Sequence, residues 1–221
     1  MTGAVFFDFN GVLVDDEAQH CHALQTVLRD EGILLSREEY YAHYLGVDDR
    51  AGFVQAYRRA NRTLTSAQVQ RLVEAKSQLY QQLIRTSLEI VAGAAEFVRA
   101  AAERFRLAIV SGALRREVEL GLTRTGFADR FEAIITADDI SQCKPDPAGY
   151  LAARAALEQR QPVASCVAIE DSLPGLAAAR AAGMACVMLT TSHSTRTLRD
   201  SGATLVWDSF AGHSPAELAD L

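Results

Sequence analysis

The chain opens on an apolar run, Ala4-Val5-Phe6-Phe7, that stops at Asp8. Four unbroken apolar residues predict a short strand buried on both faces, and Gly11 marks a turn after it. From about Asp16 to Arg85 the rhythm changes. Apolar residues recur three or four apart over 17–31, 36–45, 48–60 and 66–86, with Gly32, Ser36, Gly46 and Thr65 between them as breaks or caps. This spacing predicts a helical block without a strand.

After Gly93 strands and helices alternate. Short apolar runs at 107–110, 134–136, 165–169, 185–189 and 204–206 read as strands, and the stretches 94–104, 113–125, 147–158, 173–182 and 194–201 carry helical spacing. Alternation of this kind implies right-handed βαβ units and a parallel sheet. The expected architecture is an α/β, Rossmann-like parallel core formed by residues 1–15 and 89–221. Residues 16–88 are a helical insertion, and the linkers near 14–16 and 88–92 are its hinge.

Composition narrows the function. With 22 Lys+Arg against 28 Asp+Glu, the formal net charge of the 221-residue chain is −6, and no basic block stands out. That argues against nucleic acid and anionic membranes as partners. No apolar run reaches the roughly 20 residues of a membrane span, and the N-terminus does not read as a secretion signal. Cys21, Cys143, Cys166 and Cys186 are scattered without metal-site spacing, so a reducing cytoplasm is the expected compartment. A dinucleotide-binding turn would need Gly-x-Gly-x-x-Gly after the first strand; this chain has Asp8-Phe9-Asn10-Gly11 instead.

Parallel sheets bind ligands beyond the carboxyl ends of their strands, and the residues expected there share a chemistry. Asp8 and Asn10 follow the first strand, Ser111-Gly112 the second, Lys144-Pro145-Asp146-Pro147 the loop after the third, and Glu170-Asp171 the fourth. Asp8 and Asp171 suit a hard cation such as Mg²⁺. Lys144 is a point charge for an anion. Ser111 and the N–H groups of a helix starting at 112–113 suit an oxyanion. A carboxylate such as Asp8 can also attack phosphorus.

These four segments, in this order and spacing, resemble the four motifs of the haloacid dehalogenase (HAD) superfamily. The helical insertion after the first motif resembles the family's small cap, and the most similar subgroup is the β-phosphoglucomutase- and phosphoglycolate-phosphatase-like one. The resemblance implies a HAD-like fold and an Mg²⁺-dependent hydrolase acting on a small phosphorylated metabolite, as a monomer or homodimer. By the same resemblance Asp8 is the nucleophile. Asp8, the Asn10 carbonyl and Asp171 hold Mg²⁺, with Glu170 as ligand or support, and Ser111 and Lys144 hold the phosphoryl group. In the cap, Glu17, His20, Gly46 and Arg50 fall near positions that read the leaving group, and Gly112 accompanies Ser111 in substrate binding.

One position departs from that pattern. Phosphatases of the superfamily usually carry Asp where this chain has Asn10, and that Asp protonates the leaving oxygen and then activates water. An amide does neither, and acid–base help is worth about 10²–10⁴-fold. Three readings stand at this point: a phosphatase that is slow or aided by His20, Glu17 or Asp15; a relative's other reaction, of the mutase, phosphonatase or dehalogenase type; and a phosphate-ligand-binding or regulatory protein with little turnover.

Overall fold

The computed structural model describes residues 2–221. Six parallel strands form the main sheet: β1 (Thr2–Phe7), β4 (Arg106–Val110), β5 (Ala133–Ile135), β6 (Val163–Glu170), β7 (Ala185–Leu189) and β8 (Leu205–Trp207). Their order is β5-β4-β1-β6-β7-β8, so β1 lies between β4 and β6 and the chain reverses direction across the sheet at that point. A switch point of this kind opens a crevice at the carboxyl ends of β1, β4 and β6.

The apolar run of β1 is buried on both faces, as its composition predicts. Val5 and Phe7 point into one layer with Ile109, Ile169, Val187 and helix α5 (Ala94–Ala102). Ala4 and Phe6 point into the other with Ala108, Ala168 and Met188, under helices α7 (Ala148–Glu158) and α8 (Leu173–Ala181). Helices α6 (Arg115–Thr125) and α9 (Thr195–Arg199) complete the cover.

Between β1 and α5 run four consecutive helices, α1 (Glu17–Asp30), α2 (Arg37–His43), α3 (Asp49–Arg59) and α4 (Ser66–Thr86). They have their own apolar cluster, which includes Leu24, Leu28, Tyr40, Phe53, Tyr57 and Leu72. Ser36 and Thr65 both cap helices by reciprocal hydrogen bonds with the residue three further on.

Two details differ from the sequence expectation. The segments on either side of the helices, expected as linkers, pair as a small antiparallel ribbon of β2 (Val14–Asp15) and β3 (Glu89–Ile90), with Val14 opposite Ile90 and Asp15 opposite Glu89. Helix α6 starts at Arg115, not at 112–113. The residues before it form a turn in which the Ala113 N–H donates to Ser111 Oγ at 3.1 Å. Among the described residues, no helix is long and apolar enough to cross a membrane.

Candidate active site

The central strands deliver their carboxylates to one place. The Asp8 N–H donates to the Ile169 carbonyl at 2.9 Å, which extends the β1–β6 pairing by one step and fixes Asp8 beside Glu170 and Asp171. The Phe9 N–H donates to Asp8 Oδ1 at 2.7 Å. Asp8 Oδ2 is left facing Lys144, whose Nζ lies 2.9 Å away. The same ammonium lies 2.5 Å from Glu170 Oε1, which also accepts from the Tyr150 hydroxyl at 2.7 Å. Glu170 is fully buried; its Oε1 orients Lys144, and its Oε2 accepts from the Asp171 N–H and the Ser172 hydroxyl, each at 3.3 Å.

Two glycines make room for this cluster. A Cβ on Gly11, at φ +70°, would lie 2.0 Å from Asp171 Oδ2, and one on Gly175 would lie 2.0 Å from the Glu170 carboxyl carbon. Only backbone fits at either position.

The cluster carries more negative charge than its one lysine balances. Ligand oxygens of Asp8, Glu170 and Asp171 lie within 4.8 Å of one another, and all three residues are buried. Burial raises the Asp8 carboxyl to about 7; Lys144 opposes the rise and Glu170 adds to it. Burial also pushes the Asp171 carboxyl well up, reinforced by Asp8 and Glu170, although the Ser192 hydroxyl donates to it. Burial works against the Lys144 ammonium, yet Asp8 and Glu170 hold it well above its usual range. Three buried oxygen donors short of positive charge fit a hard divalent cation.

Asn10 stands on the helical side of Asp8. Its Nδ2 donates to Asp16 Oδ2 at 2.7 Å and to the Tyr80 hydroxyl at 3.3 Å, and Tyr80 in turn donates to Asp16. The reverse amide orientation would set Oδ1 against the Asp16 carboxylate, and the 2.7 Å contact there favours the amide as placed. Asn10 Oδ1 faces the Ser111 hydroxyl at 3.5 Å. His20 Nε2 lies 3.0 Å from Asn10 Nδ2 and 3.6 Å from Asp16 Oδ2. His20 Nδ1 lies 2.9 Å from the Lys76 ammonium, which is paired with Asp49. An ammonium only donates, so His20 Nδ1 accepts from Lys76.

Asp8, Asn10, Glu17, His20, Lys144 and Asp171 line one cavity of about 100 Å³ between the helices and the sheet edge. Gly46 and Gly112 line it too, and Gly46 approaches so closely that a Cβ there would lie 2.9 Å from Ser172 Cβ. Ser111 is buried just behind Asn10. Arg50 is not brought to this cavity. It is exposed and borders an adjoining hollow with Asp138 and Ser141, which shares Asp48, Asp49, Gly112 and Cys143 with the cavity. Asp15 is also turned to solvent.

Sequence reasoning missed Asp16, Asp49, Lys76, Tyr80 and Glu117, which surround Asn10 and His20. One signal was available. Lys76, Ser77 and Tyr80 occupy the buried stripe of α4 that also holds Leu72, Val73 and Ile84. A lysine on an apolar stripe needs a buried partner.

The family model of the haloacid dehalogenase-like hydrolases matches residues 2–183. Protein CbbY of Rhodobacter capsulatus is 33% identical over 200 residues, covering 87% of each chain. Validoxylamine A 7'-phosphate phosphatase of Streptomyces hygroscopicus subsp. limoneus is 28% identical over 222 residues, covering 93% of each. The crystal structure of CbbY from Rhodobacter sphaeroides in complex with phosphate superposes with a TM-score of 0.82 at 26% identity, over 96% of both chains. With these matches along most of its length, and with its carboxylates at the ends of the central parallel strands, the chain belongs to the haloacid dehalogenase-like hydrolases.

Proposed function

We propose that this protein is an Mg²⁺-dependent phosphatase that cleaves a small phosphomonoester through an aspartyl-phosphate on Asp8. One observation carries the reading. Asp8 lines the cavity with Oδ1 held by the Phe9 N–H, and its Oδ2 is beside Lys144. The phosphatase names of relatives and the phosphate in the CbbY structure support it.

Asp8, Asp171 and the Asn10 carbonyl would hold Mg²⁺, with Glu170 fixed behind them by Lys144 and Tyr150. When bound, the ion offsets charge on the phosphoryl oxygens and favours the ionised form of Asp8. An Asp8 carboxylate oxygen attacks phosphorus, the phosphorus–oxygen bond of the ester breaks, and the alcohol leaves. Water then attacks the aspartyl-phosphate and releases inorganic phosphate. Lys144 follows the charge of the transferring group, and Ser111 holds it from the β4 side. Residues 16–88 act as a cap that excludes water, and the β2–β3 ribbon is its attachment to the core.

Asn10 sets the rate. Its amide is committed to Asp16 and Tyr80 and has no proton to give the leaving oxygen. His20 is the nearest titratable group that lines the cavity, so it serves the proton step less directly. The same geometry favours a second reading, in which the chain holds its phosphoryl group or ligand for long periods. Hydrolysis of an aryl phosphate with Mg²⁺, followed with and without Asp8→Asn, tests the proposal. Activity that survives the substitution would remove Asp8 as nucleophile.

A further inference from the structure

The three site carboxylates differ in how their oxygens are occupied. Asp8 Oδ1 accepts from the Phe9 N–H at 2.7 Å, and its Oδ2 has the Lys144 ammonium at 2.9 Å. Glu170 Oε1 faces Lys144 and the Tyr150 hydroxyl, and its Oε2 accepts from the Asp171 N–H and the Ser172 hydroxyl. Asp171 is unlike both. Its Oδ2 accepts from the Ser192 hydroxyl, while its Oδ1 has no hydrogen-bond donor among the described residues.

Ser192 is placed for that contact by its own loop. It lies between β7 and α9 and lines the cavity with Asp171. Its neighbour Thr191 donates through Oγ1 to the Gly11 carbonyl at 2.6 Å, which pins the loop to the turn after β1. The Gly11 backbone packs against the same Asp171 oxygen, so closely that a Cβ there would lie 2.0 Å from Oδ2. Asp171 Oδ2 is therefore held by a hydroxyl and crowded by backbone, and Oδ1 is the oxygen left for a cation.

This asymmetry bears on which ion the site takes. Mg²⁺ demands a near-ideal octahedron, and the two oxygens of one carboxylate lie too close together to fill two of its corners. Ca²⁺ is larger, gathers more oxygens and accepts a carboxylate through one oxygen or both. Freeing Asp171 Oδ2 would thus favour Ca²⁺ and do little for Mg²⁺.

We propose that Ser192 determines the ion specificity of the site: by holding Asp171 Oδ2 it limits Asp171 to one ligating oxygen and so favours Mg²⁺ over Ca²⁺. Ser192 is a positioning residue that acts through Asp171. The proposal rests on the cation site of the phosphatase reading and can be tested without turnover.

The test is calorimetric titration of Mg²⁺ and of Ca²⁺ into the full chain without substrate, for the native protein, Ser192→Ala and Ser192→Thr. The native chain should bind Mg²⁺ more tightly than Ca²⁺. Ser192→Ala should tighten Ca²⁺ relative to Mg²⁺ by about 10-fold, the scale of one contact to a charged oxygen. Ser192→Thr keeps a hydroxyl and should keep the native ratio. Thr191→Val removes only the bond that pins the loop, and should shift the ratio the same way by a smaller factor. An unchanged ratio in Ser192→Ala would overturn the proposal, as would an equal shift in Ser192→Thr. A selective loss of Ca²⁺ affinity in Ser192→Ala would also overturn it, because that is the sign expected of a hydroxyl that is itself a ligand. If Ser192→Ala does not fold, an unmoved ratio in Thr191→Val overturns the proposal. Failure of the underlying cation site shows differently, as no binding of either ion to the native chain, and would remove this proposal with it.

Discussion

Asn10 donates its side-chain N–H to the buried carboxylate of Asp16 across 2.7 Å, and Tyr80 donates to the same oxygen. The amide at position 10 is therefore matched to its surroundings. An aspartate there would face another carboxylate at hydrogen-bond distance, and two carboxylates that close share one proton. Asp16 is fully buried, so solvent would not relieve the clash.

This pairing predicts how acid–base function could be restored. Asn10→Asp should raise aryl phosphate turnover by about 10²-fold or more, since it returns a proton-carrying group beside Asp8. It should also lower stability at alkaline pH, where neither carboxylate keeps the shared proton. Adding Asp16→Asn should keep the gain and recover the stability. Denaturant unfolding at pH values on both sides of neutrality, read beside the rates, checks both parts. A fully stable single variant at alkaline pH would contradict the pairing.

Lys144 is the sole cation in contact with Asp8 and Glu170 among the described residues. Lys144→Ala leaves those carboxylates uncompensated and should cost about 3–5 kcal/mol of stability without metal. Turnover should fall about 10²–10³-fold, the usual loss when one group that stabilises a transition state is removed. Unfolding curves and steady-state rates with saturating Mg²⁺ separate the two effects.

Metal and pH should act together on stability. The Asp8 carboxyl titrates at about 7 in the folded chain against an ordinary value of 3.8, and Asp171 is shifted in the same direction. Between these limits the folded protein keeps protons that the unfolded chain has released. The contribution of these two carboxyls to metal-free stability therefore falls as pH rises from about 4 through about 7. A cation that binds the ionised carboxylates reverses the trend. The rise in melting temperature on adding Mg²⁺ should be larger at pH 8 than at pH 5, by about 4 °C or more. An equal rise at both values would contradict the cation site.

Gly175 faces the Glu170 carboxyl so closely that no side chain fits. Gly175→Ala should destabilise the protein by about 2–3 kcal/mol through forced displacement of Glu170 or α8. It should also weaken Mg²⁺ binding, because Glu170 orients Lys144 beside Asp8. Thermal melts with and without Mg²⁺ read both effects.

The core of this site was legible because strand ends are where chemistry gathers in a parallel sheet. Asp8, Lys144, Glu170 and Asp171 each follow a short apolar run or its loop, and those runs set their positions. The helical side was harder to read. Lys76 and Tyr80 lie on the buried stripe of α4, and their partners Asp49 and Asp16 are remote in sequence, so spacing alone could not join them. Arg50 follows two aspartates and read as a site residue, but the start of α3 turns it outward. The β2–β3 ribbon escaped notice because each strand has only two residues, too few to show alternation.

The central claim is that Asp8 receives a phosphoryl group. The most direct measurement is intact-protein and peptide mass spectrometry after brief mixing with an aryl phosphate and Mg²⁺. The account predicts a mass gain of one phosphoryl group on the peptide that contains Asp8. The adduct should be long-lived in the native chain, shorter-lived in Asn10→Asp, and absent in Asp8→Asn. Turnover with no adduct on that peptide in any of the three chains, or an adduct that survives Asp8→Asn, would contradict it.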